Sequence, residues 1–407
     1  MTQQPKHDPS QASANGRGLG QRPRAVYGTR IVAADGVLED KAILIGEGTV
    51  QGFAPAKPRA IPDALTIHVD GGWVVPGFID IHTHGGAGAD MMDSSAEALQ
   101  ALSAHLARHG VTAFYPTTMA APADEIGRII TAFTESAASV RGAAPLGIHL
   151  EGPYLSADYR GTQPSHLLHA ADPFEYEPWL GSGVVRLITL APEIPGCPAL
   201  IARACQSDIR VAIGHTMVSY EQAVEAFDLG ATQATHLFNG MAPLHHRTPG
   251  PIGAVLSDDR VFAQLIPDGF HVHPAVMKLV IRAKGVQRTV LVSDANRGAG
   301  MPDGTYFLGQ VRIHTKDGVA RNDQGGLAGS IIALDRGLRI AMQAAGLSLP
   351  DALPMVTSSP AAAMGIAARK GRLAPGSDAD LVVLDDELNV KMTIVGGRVV
   401  FTDGTLG

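Results

Sequence analysis

Residues 74–86 read VVPGFIDIHTHGG. An apolar strand runs into two histidines one residue apart, followed by two glycines. Side chains two positions apart on a strand share a face, so His82 and His84 can point at one object. A metal ion suits two imidazoles. Taken alone, the pair is as well explained as a polar strand end, and the rest of the chain has to decide.

Working outward, the middle of the chain alternates short apolar runs with helical stretches, the pattern of a parallel sheet with crossover helices. Eight strand candidates stand out: VVPGFIDIH, TAFYPTT, LGIHLEG, VVRLITLAP, VAIGHT, ATQATHLFN, FAQLIPDG and TVLVSDA. Ser94 with Glu97 forms a capping-box pattern before a helix that Gly110 should stop, and Ser219 with Gln222 forms another. Eight strand–helix units across 75–368 predict an α/β protein built on a (β/α)8, TIM-like barrel. The two ends differ from this middle. Residues 26–74 and 369–407 are β-type runs broken by turns such as Asp35–Gly36 and Gly396–Gly397, and predict a small β-sandwich domain assembled from both termini. Residues 1–25 are polar with Gly and Pro and read as a disordered tail without a secretory signal.

Composition narrows the class. Of 407 residues, 45% are hydrophobic and 17% charged, as in a globular chain with a sizeable core. The formal charge of −7 and the lack of a basic run argue against a nucleic-acid partner, while a local set of donors can still take a small anion. No window has the apolar length of a membrane span. Cys197 and Cys205 are too few for a disulfide framework, which fits a cytoplasmic protein.

The predicted strand tips carry a selective set of side chains. Strand 1 ends in His82 and His84, strand 3 in Glu151, strand 5 in His215, strand 6 in His236 and strand 8 in Asp294. Singly, His215 is as well a satisfied core histidine, Glu151 a surface acid and Asp294 a helix cap. A barrel, however, gathers all of its strand ends at one mouth. Histidines and carboxylates are ligands that zinc or ferrous iron accepts. Such an ion lowers the pKa of water and polarises a carbonyl, and a nearby carboxylate such as Asp294 can move the proton. The set predicts metal-assisted hydrolysis.

These residues also carry a resemblance. PGFIDIHTHG and the returning segment KGRLAPGSDADLVVLD (Lys370 to Asp385) resemble the amidohydrolase superfamily. In order, HLEGPY, IGHT, THLFNGM, DGFHV, VSDA and LAGS resemble its N-acetylglucosamine-6-phosphate deacetylase family. No lysine occurs between Lys57 and Lys278, so the carboxylated lysine of many two-metal relatives has no counterpart. The resemblance implies a principal metal on Glu151, His215 and His236, a second allowed by His82 and His84, and Asp294 as catalytic base. It further implies substrate contacts from Asn239, Gly240 and His271, with Asp268, Gly269 and Phe270 lining the sugar. Leu327, Ala328 and Gly329 would close over the pocket, and Arg247 would clamp the phosphate in the partner site of a homodimer. One departure stands out. Where the family carries a Gly-Ala-His type segment, this chain reads RGTQP, with Thr162 and Gln163 as the substrate contacts. Glutamine can hydrogen-bond a sugar but carries no charge. The implied activity is deacetylation of N-acetylglucosamine 6-phosphate in amino-sugar catabolism or cell-wall recycling. The alternatives are another N-acetylated amino sugar, or a catalytically silent sugar-phosphate sensor.

Overall fold

Residues 19–55, 62 and 66–406 are described in this computed structural model, so most of the tail expected over 1–25 lies outside the described residues. The chain is an α/β protein whose centre is a succession of parallel strands. These are Phe78–Thr83, Val111–Pro116, Ile148–Glu151, Val185–Leu190, Arg210–Ile213, Gln233–Ala234, Phe262–Leu265 and Thr289–Leu291. Phe78–Thr83 and Ile148–Glu151 are buried along their whole length. Strands covered on both faces read as continuous apolar runs, which is why these segments were visible in the sequence.

The strand order gives two parallel sheets rather than one unbroken ring. The interruption has a local cause. Ala144–Pro145 pairs back with Val111–Pro116, whereas Ile148–Glu151 pairs forward with Val185–Leu190. Gly147 between them has φ +152° and packs where any Cβ would meet the Arg186 side chain. A lone bridge between Thr117 and His149 joins the two sheets. At the other end, the Asp294 N–H donates to the His82 carbonyl at 2.8 Å, which brings the last strand to the first.

Helices follow the strands in alternation: Ala96–Arg108, Ala123–Ser136, Pro173–Gly181, Cys197–Gln206, Tyr220–Asp228, Gly250–Ser257, Pro274–Lys284 and Leu334–Ala345. Ser219 and Gln222 form the reciprocal capping box. The first helix is capped by Ser95 rather than Ser94. Ser95 accepts from the Ala98 N–H, while Ser94 adopts a left-handed φ of +50° at the end of the preceding turn. The strands bury one face against these helices. The other face forms a separate apolar cluster that includes Ile79, Ile81, Ala113, Tyr115, Leu187 and Val290.

Both chain ends meet in a β layer with its own core of residues such as Val26, Ile31, Ile43, Val74, Leu381 and Ile394. The strands hydrogen-bond into one continuous eight-stranded sheet, because Ala25–Ala33 pairs with Gly36–Gly46 along one edge and with Thr66–Val69 and Trp73–Pro76 along the other. Gly396 and Gly397, at φ +53° and +73°, make the two-residue turn between Val390–Val395 and Arg398–Thr402. Gly77 alone separates Trp73–Pro76 from the first parallel strand, and a side chain there would collide with Thr112. A three-stranded antiparallel sheet, Gly304–Leu308, Val311–Lys316 and Val319–Asn322, follows the last parallel strand. The sequence reading did not foresee it. Among the described residues no helix is long and apolar enough to cross a membrane.

Candidate active site

Glu151 closes the third parallel strand and is 2% exposed. Its Oε1 lies 3.1 Å from His236 Nε2, 3.3 Å from His215 Nε2 and 3.6 Å from His82 Nε2. Its Oε2 lies 3.4 Å from His84 Nε2. Asp294 Oδ1 stands 3.2 Å from His84 Nε2 and 3.4 Å from His82 Nε2. Two triads result, Glu151–His215–His236 and His82–His84–Asp294, each with three donor atoms within 4.8 Å of one another. Glu151 faces both.

Three of these residues sit beyond the ends of the regular strands. His215 follows Ile213, His236 follows Ala234 and Asp294 follows Leu291, each by two or three residues. All three have left-handed backbones, with φ of +49°, +27° and +46°. That conformation is uncommon for residues other than glycine, and it clusters at functional sites.

The outer ring nitrogens are held as well. His84 Nδ1 lies 3.2 Å from the Thr117 carbonyl and His215 Nδ1 lies 2.9 Å from the Tyr159 carbonyl. Carbonyls only accept, so each Nδ1 carries a proton and each Nε2 is the ring atom turned inward toward the carboxylates. His82 Nδ1 meets Gln264 Oε1 at 3.4 Å, and Gln264 in turn donates to Gln233 Oε1 at 3.1 Å. His236 Nδ1 has no partner among the described residues.

The electrostatics ask for a cation. Burial pushes the Glu151 carboxyl up, but His82, His215 and His236 hold it well below the ordinary range. Burial likewise opposes the ionised form of Asp294, and the His82 and His84 charges bring it down to about 2. Burial lowers His84, yet its bonds to Asp294 and Glu151 lift it to about 10. The two acids thus draw positive charge into the centre. With imidazole nitrogens and carboxylate oxygens as the donors, the residues fit a divalent metal. Cys197 and Cys205 lie on the helix Cys197–Gln206 and take no part.

A cavity of about 210 Å³ opens above the triads. Thr162, Gln163, Asn239, Gly240, His271, Leu327 and Gly329 line it together with His84, Glu151, His215, His236 and Asp294. Arg247, Asp268, Gly269, Phe270 and Ala328 are not on its wall. Arg247 is exposed, with Nη1 2.8 Å from His246 Nε2. Asp268 lies behind His271, accepting from its Nδ1 at 2.6 Å and from the Phe270 and His271 amides. Burial lowers the His271 imidazole, but the Asp268 bond and charge raise it overall. Thr162 donates to the Leu327 carbonyl at 2.9 Å, pinning two rim loops together. Gln163 donates to Glu151 Oε2 at 2.9 Å and accepts from the Ala120 amide at 2.9 Å. Sequence reasoning missed Met119, Gly161 and Leu308 on this wall. Leu308 comes from the unforeseen antiparallel sheet, and Met119 from a loop with no signal beyond its apolar side chain.

Buried histidine–carboxylate triads at the C-terminal ends of parallel strands, beneath a polar cavity, define a metal-dependent hydrolase. The family model of the amidohydrolase family matches residues 73–400, and the chain belongs to that family. It is 36% identical over 372 residues to an N-acetylgalactosamine-6-phosphate deacetylase of Escherichia coli O157:H7, covering 91% of this chain and 97% of that one. It is 34% identical over 378 residues to an N-acetylglucosamine-6-phosphate deacetylase of Bacillus subtilis (strain 168), covering 91% and 95%. Among solved structures, it resembles a mutant N-acetyl-D-glucosamine-6-phosphate deacetylase from Mycobacterium smegmatis in complex with N-acetyl-D-glucosamine-6-phosphate. That match has a TM-score of 0.87 and 33% identity and covers 95% of this chain and 100% of the other.

Proposed function

We propose that the chain hydrolyses the acetamide of N-acetyl-D-glucosamine 6-phosphate to D-glucosamine 6-phosphate and acetate. The observation that carries this reading is the pair of buried histidine–carboxylate triads, one of them containing Asp294, beneath a single cavity, in a chain similar over more than nine-tenths of its length to deacetylases of such sugars. Glu151, His215 and His236 would hold one divalent metal, zinc or ferrous iron, and His82 and His84 with Asp294 would hold a second. When bound, such an ion supplies Lewis acidity toward the amide carbonyl and lowers the pKa of water. Asp294 takes the proton from the attacking water and returns it to the amine nitrogen as the C–N bond breaks. His271, held through Nδ1 by Asp268, presents its other ring nitrogen to the substrate, and Asn239, Gly240, Leu327 and Gly329 bound the sugar.

The phosphate falls to Arg247. It is exposed and outside its own chain's cavity, which supports a homodimer in which it enters the neighbouring site. We read the eight parallel strands as a closed (β/α)8 barrel, on the strength of the Thr117–His149 bridge and the Asp294 to His82 hydrogen bond. Residues 26–74 and 369–407 make the small domain of this reading, and 75–368 the catalytic one. The cytoplasm is the compartment in which Cys197 and Cys205, both free, remain thiols.

A second reading, N-acetylgalactosamine 6-phosphate as substrate, is favoured by the 36% identity to the Escherichia coli enzyme of that name. The two are separated by acetate release from metal-quantified protein supplied with each 6-phosphate and with unphosphorylated N-acetylglucosamine. Preference for the glucosamine compound supports the first reading, and preference for its C4 epimer the second. Equal turnover without phosphate removes both.

A further inference from the structure

We infer that Gln163 is a positioning residue for the metal-binding carboxylate rather than a contact for the sugar. The inference rests on the metal-site reading above. Gln163 is 2% exposed. Its backbone is fixed on both sides, the N–H donating to the Arg160 carbonyl at 3.0 Å and the carbonyl accepting from Arg160 Nη1 at 2.8 Å. Its amide group spans two partners that leave it one orientation. The Ala120 N–H can only donate, so it claims Oε1 at 2.9 Å, and Nε2 must then face Glu151 Oε2, also at 2.9 Å. The donation holds at every pH, because an amide does not titrate.

The consequence falls on Glu151. The last torsion of a glutamate side chain is broad, so burial alone does not fix the angle at which the carboxylate presents its two oxygens to the triads. With Oε2 tethered to Gln163, Oε1 is committed to His215 and His236 at 3.3 and 3.1 Å. Oε2 keeps a single further neighbour, His84, at 3.4 Å. Gln163 thus holds Glu151 as a one-oxygen donor to the Glu151–His215–His236 triad and restrains its other oxygen from moving toward the second triad. Partners that orient a metal ligand in this way typically set metal affinity by about 10- to 100-fold.

The test is the Gln163→Met variant, similar in length but without donor or acceptor, with Thr162→Val as the control for the rim loop, since Thr162 is the loop's other tether. Zinc affinity is measured by chelator competition, and cobalt-loaded protein gives the d–d spectrum of the ligand set. Steady-state kinetics are run at saturating metal. The expected result for Gln163→Met is zinc affinity down 10- to 100-fold, an altered cobalt spectrum, a fall in kcat and a KM within 3-fold of the parent. Thr162→Val should leave the zinc affinity and spectrum in place. Unchanged affinity and spectrum with KM raised 10-fold or more would make Gln163 a sugar contact and overturn the inference. Equal metal loss in both variants would trace the effect to the loop and overturn it too. If Gln163→Met does not fold, Gln163→Asn, one methylene too short to span Ala120 and Glu151, is read by the same criteria. The metal measurements need no substrate, so an error in the deacetylase reading would not disturb them.

Discussion

Replacing Asp294 by asparagine isolates proton transfer from everything else the residue does. Asparagine has the same shape and tolerates the left-handed backbone that Asp294 adopts at φ +46°. The Asp294 amide still donates to His82, and its carbonyl still accepts from Ser330 at 2.7 Å. The side-chain oxygen keeps its place 3.2 Å from His84 and 3.4 Å from His82. The carboxylate that takes a proton from water is gone. A positioned general base contributes about 10²- to 10⁴-fold, or roughly 3–5 kcal/mol of barrier. The expected outcome for Asp294→Asn is therefore a kcat at least 100-fold lower, with KM within a few-fold of the parent and metal at Glu151–His215–His236 retained. The assay is acetate release at saturating N-acetyl-D-glucosamine 6-phosphate, normalised to metal measured on the same sample, with circular dichroism as the check on fold. A kcat within 10-fold of the parent at equal metal content would refute the assignment of Asp294 as base.

Other perturbations separate substrate recognition from stability. Arg247→Ala should raise KM for the 6-phosphate roughly 10- to 100-fold, the worth of a charge-assisted bond, and leave the unphosphorylated sugar unaffected; an equal effect on both would remove its phosphate role. Lys370 Nζ sits 2.7 Å from Asp380 and 2.9 Å from Asp378 with its side chain 13% exposed. Lys370→Met removes the cation beside the buried Asp380 and should cost about 3–5 kcal/mol in urea unfolding, toward the lower end because the Gly396 N–H still donates to Asp380 and Arg369 still pairs with Asp378; a loss below 1 kcal/mol would count against this. Burial, with the charges of His109 and Arg108, lowers the His105 imidazole to about 4. Its folded value is below the unfolded one, so its contribution is full above pH 6.5 and is lost as pH falls toward 4, by about 2 kcal/mol between pH 7 and pH 5. His105→Gln should flatten that part of the pH–stability curve, and an unchanged slope would assign it to other groups.

Much of the site's residue list was legible because its geometry is carried by strand ends, and buried strands announce themselves as apolar runs. His82, His84, Glu151, His215, His236 and Asp294 could be picked out one by one, and the absence of lysine from 58 to 277 separated this chain from two-metal relatives that use a carboxylated lysine. What was not legible depends on backbone detail. The sixth strand is regular only over Gln233–Ala234, since the φ of +27° at His236 takes the chain out of the ladder. The third strand is split at Leu146–Gly147 because Gly147 packs on Arg186. The helix cap moved from Ser94 to Ser95, a choice made by one residue's left-handed turn. The antiparallel sheet over 304–322 alternates buried and exposed side chains, but that signal was lost in the count of parallel units. Gln163 could be recognised as a departure, whereas its attachment to Glu151 and Ala120 required coordinates.

The backbone at the site bears on the choice between an enzyme and a silent sugar-phosphate binder. Left-handed conformations at His215, His236 and Asp294 cost of order 1–3 kcal/mol each, and the site also buries two ionised carboxylates among four imidazoles. A binder of neutral sugar and phosphate gains nothing from these costs, because its ligand is met by donors such as Asn239, Gly240 and Arg247. A cation between the triads offsets the buried negative charge, which explains Glu151 and the histidines. The carboxylate of Asp294 is aimed both at the histidine pair, where it would share a second metal, and into the cavity. That orientation is useful to a group that exchanges a proton with something bound above the metal site. Asp294→Asn is the substitution in which a binder and a hydrolase part company: the first would lose nothing measurable in sugar-phosphate affinity or function, the second its chemical step.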